Sequence, residues 1–158
     1  MGKELKTNAM RFLDKSKIDY TVQTYECDEF IDGIHTAEAL GQPLEETFKT
    51  LVAKGKTGSY YCFLLPVAEE LDLKKAAKSV GEKSVELLHV KDITAVTGYV
   101  RGGCTPVGMK KQFMTVVHDT AEKMPLFYIS GGRIGTQIRL SPAELVKAIR
   151  GKFEDVIM

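Results

Sequence analysis

Residues 50–66 constrain the fold more than any other stretch. The runs 50–54 and 60–66 are apolar and rich in β-formers, and Gly55-Lys56-Thr57-Gly58 lies between them. Two such runs around a glycine-bounded turn predict a β-hairpin. The longest mainly apolar run, 60–68, has nine residues and contains Pro66. A membrane-spanning helix needs about 20, so none is expected here.

Around this hairpin the apolar periodicity predicts further elements. Residues 7–17 read as a helix with Ala9, Phe12, Leu13 and Ser16 on one face, and 20–26 as a half-buried strand. Short helices are expected over 35–40 and 43–48. Asp72 caps a helix ended by Gly81, whose other face carries Lys74, Lys75 and Lys78. A helix over 90–96 stops before Gly98. Strands are expected over 115–118, 126–130 and 136–140. Ser141-Pro142-Ala143-Glu144 is a capping box with proline at the first helical position, so a helix begins at Pro142. Strands and helices mix without a βαβ rhythm. The expected class is α+β, one domain over 1–158, with a mixed, mostly antiparallel, barrel-like sheet and surrounding helices.

Charge and composition then limit the function. The 158 residues include 22 Lys+Arg and 21 Asp+Glu, a net charge of +1, which argues against DNA binding or any affinity built on bulk charge. The apolar content of 44% and mean hydropathy of -0.11 exclude disorder for most of the chain. The polar start, Met1-Gly2-Lys3-Glu4-Leu5-Lys6, has no apolar leader core behind it, and a cytoplasmic protein is expected. Cys27, Cys62 and Cys104 are odd in number and far apart, and His35, His89 and His118 are equally scattered. Neither a disulfide framework nor a metal site is expected, and no cofactor.

Seven of the fourteen glycines fall between Gly98 and Gly135, in the clusters 98–108 and 130–135. Glycines let backbone N–H groups approach a phosphate or an oxyanion, and they also make ordinary turns. Both readings stand at this point. No Walker loop or dinucleotide fingerprint is present. Lys49, at a helix-to-strand junction, either enters a cleft to hold a phosphate or polarise a carbonyl, or lies on the surface paired with Glu45 or Glu46. The lysines at 74, 75 and 78 read as a solvated face, Lys110-Lys111 as a charged turn, and Cys104 as a small packing or lining residue.

Five motifs occur in order: Phe-Lys-Thr-Leu at 48–51, Leu-Asp-Leu-Lys-Lys at 71–75, Thr-Gly-Tyr at 97–99, Gly-Gly-x-x-Pro-x-Gly at 102–108 and Ser-Gly-Gly at 130–132. Together they resemble the YbaK/EbsC family, relatives of the editing domain of bacterial prolyl-tRNA synthetase, over roughly residues 5–155. That resemblance implies a mixed α/β barrel-like fold and a free-standing aminoacyl-tRNA deacylase that clears Cys-tRNA(Pro). Cysteine and alanine are no larger than proline, and one methylene discriminates by only ~1–3 kcal/mol, so a second sieve is needed.

By the same resemblance Lys49 is the catalytic residue and orients the ester. Thr50 points to the cysteinyl branch, since alanine-clearing relatives carry asparagine there. Gly102, Gly103, Ser130 and Gly131 would surround the scissile carbonyl, and Tyr20 and Phe30 would contact the aminoacyl-adenosine. The substrate's own thiol would attack its ester, which suits a chain with no Cys–His or Ser–His–Asp set. The implied partners are the 3′ end of the charged tRNA and prolyl-tRNA synthetase, which would supply tRNA recognition that a charge of +1 does not; without it Cys-tRNA(Cys) would also be cleaved. Two other readings remain: clearance of Ala-tRNA(Pro) or another mischarged tRNA, and a non-catalytic nucleotide-binding or regulatory module.

Overall fold

The computed structural model describes residues 6–25, 33–100 and 103–158. Helix α1 (Asn8–Lys15) starts at Thr7, whose hydroxyl accepts from the Met10 N–H and donates to the carbonyl of Gly131 at 2.6 Å. Strand β1 (Tyr20–Thr24) follows, then helix α2 (Gly33–Leu40), a 3₁₀ turn over Leu44–Glu46, and the hairpin strands β2 (Phe48–Gly55) and β3 (Tyr60–Pro66). Helix α3 (Leu73–Ser79) is capped by Asp72, whose carboxylate accepts from the N–H groups of Lys74 and Lys75. Strand β4 (Val85–Leu87) leads into helix α4 (Val90–Thr97), which ends at Gly98 with φ +86°. The rest is β5 (Met114–His118), a 3₁₀ turn over Asp119–Lys123, β6 (Phe127–Ser130), β7 (Thr136–Leu140), helix α5 (Pro142–Ile149) and β8 (Lys152–Glu154). At the start of α5 the Ser141 hydroxyl accepts from the Glu144 N–H, as its sequence predicts.

The strands form two sheets, β1-β7-β6 and β4-β2-β3-β5-β8. The smaller sheet is antiparallel throughout. In the larger one β4, β2 and β3 run antiparallel, while β3–β5 and β5–β8 are parallel. Parallel neighbours need long crossovers, and residues 67–113 and 119–151 supply them. The barrel likeness is loose. Among the described residues the two sheets are bridged at Thr47 and Tyr128 and do not close.

Apolar burial follows from this layering. The layer between the sheets holds Leu13, Phe48, Phe127, Ile129, Ile138, Leu140 and Leu145. On the far face of the larger sheet, Phe63, Leu65 and Val116 pack on Ala76 and Ala77 of α3. Strand β3 lies centrally and is buried from Cys62 to Pro66, which explains its unbroken apolar run. A smaller cluster of Val52, Cys62, Tyr99 and Cys104 lies between the hairpin and the first glycine-rich segment. Leu73, at helical spacing with the buried Ala76 and Ala77, is exposed.

A candidate active site at the open edge of strand β2

Strand β4 pairs with β2 only at residues 53–55, whereas β3 pairs with it from Phe48 to Lys54. The first half of β2 therefore has an open edge, and a cavity of about 470 Å³ lies against it. That volume is in the range of small-molecule sites. Its wall is built by β2 (Phe48 to Val52), by Ile34 and Thr36 of α2, by Leu87, Leu88, Val90 and Ile93, and by Cys104, Ser130 and Gln137.

The junction that delivers Lys49 is fixed by main-chain bonds. Thr47 donates its N–H to Leu44 O, its carbonyl accepts from the Val67 N–H, and its hydroxyl donates to Pro43 O at 2.8 Å. The Leu88 N–H donates to Val52 O, so the main chain of Val52 faces β4. The ladder's alternation gives Thr50, two residues earlier, the same direction, which places a main-chain donor and acceptor on the cavity side. The Thr50 hydroxyl is buried with no hydrogen-bond partner among the described residues, as is Oε1 of Gln137. An unpaired buried polar atom costs about 1–3 kcal/mol, so a wall carrying two of them is suited to a polar ligand.

Lys49 is the one charged side chain among the described residues of this wall. Burial disfavours its ammonium and lowers its pKa from the ordinary lysine range, with Glu70 and then Glu69 opposing. These two acids lie before α3, so the counter-charge is not Glu45 or Glu46, as sequence proximity suggested. A cation held in a mostly apolar cleft acts strongly on a carbonyl or phosphate oxygen. Cys104 lines the cavity as expected, and burial pushes its thiol up to about 11. It is thus protonated near neutral pH and a poor nucleophile.

The expected site residues separate into groups. Lys49, Thr50 and Ser130 come together on the cavity wall. Phe30 and Gly102 lie outside the described residues. Tyr20 is on β1, away from this wall, with its hydroxyl donating to Asp14 Oδ1 at 3.0 Å. Gly103 and Gly131 are not in the wall, and their N–H groups donate to Val100 O and Thr136 O. From the two glycine-rich segments the described wall takes Cys104 and Ser130. Gln137, opposite Ser130 in the β6–β7 ladder, was not anticipated. Its signal was a polar residue in a strand whose neighbours Thr136 and Ile138 are buried. Among the described residues no group of three or more His, Cys, Asp or Glu side chains could hold a metal, and no helix is long and apolar enough to cross a membrane.

Residues 33–148 match the family model described as an aminoacyl-tRNA editing domain. A protein of Enterococcus faecalis, EbsC, named as a candidate Cys-tRNA(Pro)/Cys-tRNA(Cys) deacylase, is 41% identical over 152 residues, which is 96% of this chain and 93% of that protein. A proline–tRNA ligase of Thermosipho africanus is 30% identical over 96 residues, covering 61% of this chain and 17% of the ligase. Among solved structures, that of a candidate trans-editing enzyme for prolyl-tRNA synthetase shares the fold with a TM-score of 0.82, at 24% identity, covering 98% of this chain and 99% of its own.

Proposed function

This chain belongs to the aminoacyl-tRNA editing domain family, an aminoacyl-tRNA deacylase by that membership, and we propose that it acts as a free-standing enzyme on Cys-tRNA(Pro). The observation that carries this reading is Lys49, the one cation among the described residues of a mostly apolar wall, beside a Thr50 hydroxyl that has no partner among those residues. The likeness to EbsC supports cysteine as the amino acid and extends the substrates to Cys-tRNA(Cys). The whole chain, 1–158, acts as one editing domain.

In this reading the aminoacyl ester lies along the open edge of β2. The likeness to a protein named for cysteinyl-tRNA substrates supports a nucleophile supplied by the substrate. The thiolate of the bound cysteine attacks its own carbonyl carbon. The C–S bond forms, the ester C–O bond breaks, and the 3′ oxygen of the terminal adenosine leaves and takes up a proton. The cyclic thiolactone is later opened by water to free cysteine. A free thiol has a pKa of ~8.5, so a usable fraction is thiolate near neutral pH. Lys49 and the Thr50 hydroxyl and main chain hold the ester in an attack-ready geometry and stabilise the developing negative oxygen. Ser130 and Gln137 close the opposite wall. The chain's net charge of +1 supports a role for prolyl-tRNA synthetase in supplying tRNA recognition.

The test is deacylation of Cys-tRNA(Pro), Ala-tRNA(Pro) and Pro-tRNA(Pro) by wild type and Lys49→Ala. Loss of the cysteinyl ester alone, dependent on Lys49, is expected. Preferential loss of the alanyl ester would exclude the substrate-thiol mechanism. No cleavage of any of the three by folded protein, either alone or with prolyl-tRNA synthetase added, would remove the enzyme reading in favour of a binding module.

A further inference from the structure

A second cavity, of about 350 Å³, adjoins the first and shares Leu87 and Leu88 with it as a common wall. It has a different character. Lys54 of β2 stands directly opposite Tyr60 of β3 on one side and Glu86 of β4 on the other, so the three form a row across the sheet. All three line the cavity, together with His89 and Asp92 at the start of α4. The Lys54 ammonium lies 5.9 Å from the centre of the Tyr60 ring, and Phe113 backs that ring at 5.5 Å.

An aromatic ring beside a cation is the usual platform for a single-stranded base. The carboxylates of Glu86 and Asp92 disfavour a phosphate group beside them, yet they accept well from an exocyclic amine, as acids do from cytosine N4. The chemistry therefore selects an amine-bearing nucleobase. Lys54, exposed at the rim, suits the phosphate that joins this base to its neighbour. We infer that the second cavity holds the penultimate base of the tRNA 3′ end, a cytosine, while the terminal aminoacyl-adenosine occupies the first. This rests on the editing reading for the identity of the ligand in the first cavity. It adds a subsite for the second nucleotide, on the far side of the Leu87–Leu88 ridge.

The test is equilibrium binding of uncharged RNA microhelices at fixed salt, which needs no turnover. The probes end in CCA, in CUA, or in CCA with the penultimate residue abasic. With wild type the abasic probe should bind about tenfold more weakly than CCA, the scale of one base–aromatic stack. Tyr60→Leu keeps an apolar contact to Phe113 and should shrink that difference to less than about twofold. Asp92→Asn should relax the preference for CCA over CUA and leave the abasic difference in place. Equal binding of all three probes to wild type would overturn the inference, as would a full abasic difference surviving in folded Tyr60→Leu. Base-dependent binding without deacylation of any charged tRNA, even with prolyl-tRNA synthetase added, would sink the enzyme reading and keep the subsite. Deacylation without base-dependent binding would do the reverse.

Discussion

A Cβ on Gly103 would lie 2.8 Å from the Cα of Arg133, so the two glycine-rich segments touch main chain to main chain. Neither backbone can give way as a flexible side-chain end would. Gly103→Ala must therefore push apart the segments that carry Cys104 and Ser130, both in the cavity wall. Overpacking of this kind costs about 1–3 kcal/mol. The expected result is a lower urea midpoint with an unchanged slope, together with reduced kcat/KM. A wild-type midpoint would mean that the segments separate freely and that the close approach does not shape the site.

The lowered pKa of Lys49 has a readable sign. Burial disfavours the ammonium, so the side chain loses its proton below the ordinary lysine value of ~10.4. Deacylation of a cysteinyl ester should rise with pH as the substrate thiol ionises, then fall as Lys49 becomes neutral. Lys49→Arg keeps the charge at all accessible pH, so the falling limb should vanish although the rate is lower throughout. The pH profile of kcat/KM for both proteins, corrected for buffer hydrolysis, checks this. A falling limb retained in the arginine variant would assign it to another group.

What the sequence made legible follows the range of its signals. The hairpin, the Asp72 cap and the Ser141 hydroxyl cap depend on residues a few positions apart, and all three are present. Strands β4 and β8 have three residues each, too few for an alternating pattern, and are strands only because the edges of β2 and β5 accept them. The parallel pairing of β3 with β5 depends on a crossover of more than forty residues and has no local trace. The site divides in the same way. Lys49 and Thr50 reach the cavity because a junction fixed by nearby bonds puts them there. Gln137 and Ile93 arrive from distant elements; the one local mark of Gln137 is its polarity within a buried strand, and nothing in its own segment distinguishes Ile93 from a core residue.

At the hairpin turn, the Glu82 carboxylate accepts from the Tyr61 hydroxyl at 2.6 Å and from the hydroxyl and N–H of Thr57. Gly55 leaves the room, since a Cβ there would lie 2.3 Å from the Glu82 carboxyl carbon. The Thr57 and Tyr61 bonds hold the Glu82 pKa below the usual carboxylate range. A depressed pKa contributes stability that is present above the unfolded value of ~4.3 and is lost as pH falls through the folded one. Glu82→Gln should therefore lower the denaturation midpoint at neutral pH, and the gap to wild type should close on acidification. A gap that stays constant from neutral pH to well below the unfolded value would show that the charge contributes nothing.

Thr50 offers a test in which stability and activity should move in opposite directions. Its hydroxyl is buried without a partner among the described residues, a cost of about 1–3 kcal/mol to the free protein. Valine fills the same space and leaves no polar atom unpaired, so Thr50→Val should be neutral or raise Tm, by roughly 2–4 °C for each kcal/mol regained. If the hydroxyl bonds the ester in the reacting complex, the same change removes that bond and should lower kcat/KM about tenfold. A residue that served only the fold would lose stability and activity together. Thermal unfolding and deacylation measured on one preparation separate the two cases, and a falling Tm in Thr50→Val would remove the hydroxyl from the site.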